Sequence, residues 1–182
     1  HLVRDLLAFA RLGNSPMTHT AVDLDVVVQE ARDMVLLSHP GHDAQWLIEP
    51  LPTVRGDPSL LRQVFVNLLS NALKYSAPKE RPRVEITHRI DPQAGHVVAV
   101  RDNGVGFNPA QSDRLFTPFQ RLHRRDDFDG TGVGLALSQG LANRLGGEIR
   151  LRSRPGEGSV FTLAVPAMHP GPRHASTKSG ES

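Results

Sequence analysis

The chain has no cysteine among its 182 residues, which removes disulfides, thiol nucleophiles and cysteine–zinc sites from consideration. Aromatic residues are scarce at 5%, and the formal charge is only +2 with both signs mixed along the chain. Without a basic stripe carrying interleaved aromatics, nucleic acid is not an expected partner, despite a pI near 9.5. No apolar run approaches the ~20 residues of a membrane span and nothing resembles a signal peptide, so direct membrane contact is not expected either. There are no internal repeats. The remaining balance, 38% hydrophobic and 22% charged, suits one globular domain with a real core plus some extra segment.

His1 lies inside an apolar-periodic stretch with no Met before it, which reads as part of a longer protein. Residues 1–13 read as the end of a helix: Leu2, Leu6 and Phe9, with Val3, Leu7 and Ala10, form an apolar face, and Gly13 is a natural stop. So short a helix is marginal alone and is expected to continue a bundle or coiled coil. Residues 14–166 are predicted to form the folded domain, and 167–182, rich in Pro, Gly and Ser, a disordered tail. Within the domain, strands are expected over Thr18–Val22, Ala44–Glu49 and Pro52–Arg55. Further on, Arg83–Ile90 and His96–Arg101 read as a hairpin, and Glu148–Arg154 and Ser159–Val165 as another pair. A helix capped by Asp23 runs to about Ser38 with Leu24, Val27, Val28, Ala31 and Val35 inward, and a second spans Val133–Leu145. The pattern predicts an α+β two-layer sandwich, a mixed sheet with helices on one face. Residues 103–130 show no clear periodicity, and a loop that long is usually functional or mobile.

The central stretch runs from Asp57 to Ser76. Asp57 can N-cap a helix, and Pro58 suits its first position. Leu61, Val64, Phe65, Leu68, Leu69 and Ala72 make a broad apolar arc, widened by Val66 and Leu73. One narrow stripe is polar: Gln63, Asn67, Asn71 and Lys74. On a helix this buried, those groups either bond to neighbouring backbone or line a pocket for something charged.

Two glycine-bearing turns bear on that choice. Asp102-Asn-Gly104-Val-Gly106 follows a strand, and no second strand succeeds it as a hairpin would require. A carboxylate fixed there would accept from an adenine amino group and repel the guanine carbonyl, while the glycines let backbone approach a ligand. Gly130-Thr131-Gly132-Val-Gly134-Leu135 opens a helix, where free backbone N–H groups can hold phosphate oxygens. With no preceding strand and no Lys-Ser/Thr, it fits neither a dinucleotide fingerprint nor a P-loop.

In this order, the segments resemble the ATP-binding catalytic domain of sensor histidine kinases, within the ATPase superfamily shared with gyrase, Hsp90 and MutL. Asn67-Leu-Leu-Ser-Asn71-Ala-Leu-Lys74-Tyr75 resembles the N box and Asp102–Gly106 the G1 box. Phe116-Thr-Pro-Phe119-Gln-Arg121 resembles the F box, Gly130–Leu135 the G2 box, and Gly156-Glu-Gly158-Ser-Val-Phe161-Thr162 the closing strand motif. Phe119-Gln-Arg-Leu-His123 through Asp129-Gly-Thr is similar to the phytochrome-like branch.

The resemblance implies a Bergerat-type fold with a long ATP lid, and Mg²⁺ and ATP as ligands. Asn71 would bind Mg²⁺ with Asn67 close to the same ion, Lys74 would neutralise phosphate charge and Tyr75 would bound the pocket. Asp102 would read adenine, with Thr162 supporting the base. Gly104, Gly106, Gly130, Gly132 and Gly134 would hinge and cradle, with Thr131 near the phosphates and Leu135 beside them. Phe116 and Phe119 would anchor the lid, and Arg121 would reach the γ-phosphate. Hydrolysing relatives carry a glutamate where Asn67 stands, and an amide cannot take a proton from water, which favours phosphoryl transfer over hydrolysis. The implied acceptor is a histidine on a dimerisation domain outside the sequence, in a cytoplasmic homodimer that serves a cognate response regulator. The histidines present, His39 and His42 on a Pro-Gly loop among them, read as solvated or packed. A catalytically silent ATP-binding or partner-docking domain of the same fold is the alternative.

Overall fold

A computed structural model of the chain describes residues 2–11, 15–120 and 130–167. The elements run α1 (Leu2–Arg11), β1 (Thr20–Asp23), α2 (Leu24–Ser38), β2 (Gln45–Ile48), β3 (Thr53–Gly56), α3 (Pro58–Ser76), β4 (Arg83–Asp91), β5 (Gly95–Asp102), a 3₁₀ stretch (Pro109–Phe116), α4 (Gly134–Arg144), β6 (Glu148–Arg154) and β7 (Gly158–Val165). Five strands form one mixed sheet in the order β2-β4-β5-β7-β6, with β2–β4 parallel and the other pairings antiparallel. β1 and β3 pair separately as a small antiparallel ribbon. α3 and α4 pack on one face of the large sheet and α2 packs against α3 in the same layer, which is the two-layer α+β arrangement the sequence predicts.

α3 is the centre of that layer because its cap and its apolar arc agree. The Asp57 side chain accepts from the N–H groups of Ser59 and Leu60 at 2.9 and 3.1 Å, and Pro58 occupies the first turn. Leu61, Val64, Phe65, Leu68, Leu69, Ala72 and Leu73 are fully buried, against Ile86, Val98, Val100, Phe161 and Leu163 of the sheet. Each of the Leu, Val and Phe side chains contributes roughly 1.5–3 kcal/mol relative to exposure. The five inward positions predicted for α2 are all buried.

Residues 109–116 depart from the expected featureless loop. Asn108 Oδ1 accepts from Ala110 N–H at 3.0 Å and Pro109 starts a 3₁₀ stretch whose Leu115 is buried. Its three-residue repeat does not register on a 3.6-residue scan. The apolar face predicted for α1 is also uncovered by the described residues: Leu2, Val3, Leu6 and Leu7 are exposed. The predicted tail from residue 168 onward lies outside the described residues.

Candidate functional site

α3 carries its polar stripe along the wall of a cavity of about 740 Å³. Asn67, Asn71, Lys74 and Tyr75 line one side, and Gly130, Thr131, Gly132, Gly134 and Leu135 the other. The Asn67 amide donates to Gly134 O at 3.1 Å and to Ser138 Oγ at 3.0 Å, so its N–H groups knit α3 to the first turn of α4. Among the described residues, Oδ1 has no hydrogen-bond donor. Asn71 has no side-chain hydrogen-bond partner among the described residues. Lys74 Nζ lies 4.6 Å from the Tyr75 ring centroid, and only 3.1 Å from where a side chain on Gly130 would begin. No side chain caps α4, which leaves first-turn N–H groups for a ligand. Two amide oxygens, an ammonium and uncapped N–H groups are the donor set that a magnesium–phosphate ligand requires.

Asp102 sits at the end of β5 on the helix side of the sheet and is 2% exposed. Its Oδ1 accepts from Gly104 N–H at 2.9 Å, while Oδ2 is buried without a partner. Desolvation pushes the carboxyl up to about 6, with the backbone N–H groups of Gly104 and, more weakly, Ser159 pulling the other way. In this conformation Asp102 is not among the walls of the large cavity. The glycines of its turn also differ from expectation, because the backbone they admit is the protein's own. A Cβ on Gly104 would fall 2.4 Å from Tyr75 O, and one on Gly106, at φ +62°, only 2.0 Å from Arg154 O. Val105 N–H donates to the same Tyr75 carbonyl at 3.1 Å, which stitches the turn to the end of α3. These two glycines shape the floor of the site and do not line its opening.

Thr162 is not brought to the site. Strand alternation puts it on the sheet face away from the helices, with its hydroxyl 3.5 Å from Arg150 O. Ser159 is the residue of β7 that pairs with Asp102, and it is 2% exposed. Its Oγ is 2.9 Å from Ser153 Oγ, which also donates to Gly158 O and accepts from Phe107 N–H. The parity was readable: Ser159 stands two residues before the core residue Phe161, whereas Thr162 stands one after it.

Of the two phenylalanines read from sequence as lid anchors, Phe116 is half-buried against the core. Phe119 is 58% exposed and holds φ +65°, a conformation rare for an aromatic residue. It ties the segment through its backbone, its N–H donating to Gly132 O at 3.0 Å, and not through its ring. Arg121 lies outside the described residues. Thr131 Oγ1 donates to Asp5 Oδ2 of α1 at 2.7 Å. His39 and His42, read from sequence as solvated or packed, also line the cavity, and His39 Nδ1 lies 3.0 Å from Val35 O. Among the described residues no group of three or more His, Cys, Asp and Glu could hold a metal.

A family model described as histidine kinase-, DNA gyrase B-, and HSP90-like ATPase matches residues 56–169. The phytochrome-like protein Cph1 of Synechocystis sp. is 36% identical over 165 residues, covering 91% of this chain and 22% of that protein. The signal transduction histidine-protein kinase AtoS of Escherichia coli (strain K12) is 32% identical over 170 residues, covering 91% and 26% respectively. The crystal structure of full-length ShkA in complex with AMPPNP matches with a TM-score of 0.72 at 28% identity, covering 92% of this chain and 36% of that one. The chain spans about a fifth of the length of the cyanobacterial phytochromes it matches (22% of Cph1 and 21% of phytochrome A of Nostoc sp.). Fold, order of motifs and relatives agree, and the chain belongs to the family of histidine kinase-, DNA gyrase B- and HSP90-like ATPases, among the histidine kinases.

Proposed function

We propose that residues 14–166 are the ATP-binding, phosphoryl-donating domain of a two-component sensor histidine kinase, with residues 1–13 as the end of its dimerisation helix. The observation that carries this reading is the buried, unpartnered Oδ2 of Asp102. A carboxylate oxygen in that state is stabilised by an amine donor and destabilised by a carbonyl, so it selects adenine over guanine. Reaching it takes a local opening of the site, since Asp102 does not face the cavity. Ser159, beside it, takes the supporting role expected of Thr162.

Asn71 and the Oδ1 of Asn67 fit a hard cation that keeps several waters. When bound, Mg²⁺ supplies neutralising charge to the phosphate oxygens. Lys74 adds positive charge beside Gly130, and the uncapped turn of α4 offers N–H groups to the same oxygens. Tyr75, Leu135 and Gly132 bound the pocket. Asn67 has no basic atom for activating water, and its amide is committed to Gly134 and Ser138, which disfavours hydrolysis. The acceptor is an imidazole nitrogen on the dimerisation domain: its bond to the γ-phosphorus forms as the bridging P–O bond breaks, and ADP leaves. Arg121 is the candidate for contacting the γ-phosphate. A homodimer with a cognate response regulator, acting in the cytoplasm, completes the reading; no described helix is long and apolar enough to cross a membrane.

Calorimetric titration with ATP, with and without Mg²⁺, and with GTP as control, tests the pocket. Transfer of a radiolabelled γ-phosphate to a separately produced dimerisation domain tests the reaction. Selective ATP binding with transfer is the expected result. The separation of Asp102 from the large cavity favours a second reading, a catalytically silent ATP-binding or partner-docking regulatory domain, which ATP binding without transfer would establish.

A further inference from the structure

The contact between Asp5 and Thr131 places a carboxylate from α1 in the wall of the cavity that Asn67, Asn71 and Lys74 also line. The hydroxyl of Thr131, in the middle of the glycine-rich turn, is committed to that carboxylate at 2.7 Å. Among its described side chains, α1 turns Asp5 and Ala8 toward this position. Ala8, one turn on from Asp5, packs on the core, while Leu2, Val3, Leu6 and Leu7 point away. Beyond α1, Arg144 at the end of α4 donates to Ser15 O at 2.6 Å. Among the described side chains of α1, Ala8 is the one that packs on the core, and the hydrogen bond from Thr131 to Asp5 adds a charged contact.

We propose that Asp5 makes docking of α1 and occupancy of the cavity by a triphosphate oppose one another. The inference rests on the nucleotide reading above. A triphosphate brings several negative charges to the glycine-rich turn, where Asp5 already presents one, and like charges at short range raise the free energy of both. Phosphate oxygens also compete for the Thr131 hydroxyl. Binding linkage makes the opposition reciprocal: a docked α1 lowers affinity for ATP, and bound ATP loosens α1 by the same factor. Movement of α1 is thereby coupled to nucleotide occupancy through a single carboxylate.

The test compares Mg-ATP and adenosine, which lacks the phosphates, on the native chain and on Asp5→Asn, by calorimetry. The amide keeps an acceptor for Thr131 and removes only the charge. Asp5→Asn is expected to tighten Mg-ATP by about 5- to 10-fold and leave adenosine unchanged, with the difference shrinking at high salt. Equal shifts for both ligands would show a merely structural role and overturn the proposal. Weaker Mg-ATP binding by Asp5→Asn would place the carboxylate on the metal and overturn it too. Because the chain has no cysteine, spin labels on Val3→Cys and Asn143→Cys report α1 against α4 directly. Mg-ATP is expected to lengthen that distance, and an unchanged distance in the ATP-bound protein is a second refutation. Failure of both proteins to bind either ligand would overturn the nucleotide reading itself, whereas tight ATP binding insensitive to Asp5 overturns only this inference.

Discussion

Asp57, ahead of α3, and Asp102, at the end of β5, are both nearly withdrawn from solvent, 8% and 2% exposed, yet they respond to burial in opposite ways. Desolvation raises the pKa of each. At Asp57 it is outweighed by hydrogen bonds from Thr18, through its N–H and its hydroxyl, and from the N–H groups of Leu60 and Ser59, so the carboxyl titrates below its usual range. At Asp102 the backbone N–H groups are too few, one oxygen is left alone, and the carboxyl rises to about 6. Asp57 is a structural carboxylate whose partners are all inside the protein. Asp102 is incomplete without something else, and that difference separates a helix cap from a candidate recognition group.

Removing the cap should have the largest effect on the fold. Asp57→Ala loses an N-cap worth about 1 kcal/mol and two hydrogen bonds from Thr18, each worth roughly 0.5–1.5 kcal/mol. Chemical denaturation should show a loss of about 2–4 kcal/mol, with the ATP affinity of the folded fraction little changed; a loss under 0.5 kcal/mol would break the contrast between the two carboxylates.

Asp102→Asn should do the reverse. Its native carboxyl is held roughly two units above 3.8, which at 1.36 kcal/mol per unit penalises the ionised form by up to about 3 kcal/mol at neutral pH. The variant is expected to be more stable than the native chain by about 1–3 kcal/mol, and to lose about 10- to 100-fold in preference for ATP over GTP. A variant that is destabilised and keeps its preference would remove Asp102 from base reading.

The pH dependence sharpens the comparison. The folded-state pKa of Asp102 is raised, so its penalty is fully present above about pH 6 and is relieved as pH falls toward 3.8. The stability gap between Asp102→Asn and the native chain should close across that window. The folded-state pKa of Asp57 is lowered, so its stabilisation is present above 3.8 and is lost only as pH falls through its lower folded value. Melting curves of the native chain, Asp102→Asn and Asp57→Ala between pH 3 and 8 separate the two; parallel profiles would show that the carboxylates titrate alike.

The smallest effects concern strand parity. Ser159→Ala removes a hydroxyl bonded to Ser153 beside Asp102 and should cost about 1 kcal/mol with a few-fold loss of ATP affinity. Thr162→Ala, on the opposite face, should change stability by less than about 0.5 kcal/mol and leave ATP affinity unaltered. If calorimetry ranks the two the other way, the face assignment fails.

Much of the fold was legible because its signals are local. Asp57-Pro58 announces the start of α3, the 3.6-residue repeat marks its buried arc, and Leu24, Val27, Val28, Ala31 and Val35 mark that of α2. The site was legible as an order of motifs, with Asn67, Asn71 and Lys74 on one helical stripe and a glycine-rich turn opposite. Less legible was what each glycine admits: Gly104 and Gly106 are close to Tyr75 O and Arg154 O, atoms distant in sequence.

The sequence by itself determined the helices, their caps, the order of the strands along the chain and the presence of a carboxylate at the end of β5, because each depends on residues within a few positions of one another. Only the tertiary structure decided that Ser159 and not Thr162 stands by that carboxylate, that His39 and His42 reach the cavity, and that Asp5 meets Thr131 from 126 positions away. Those outcomes depend on cross-strand register and on how helices pack, and both are set by the burial of the whole core.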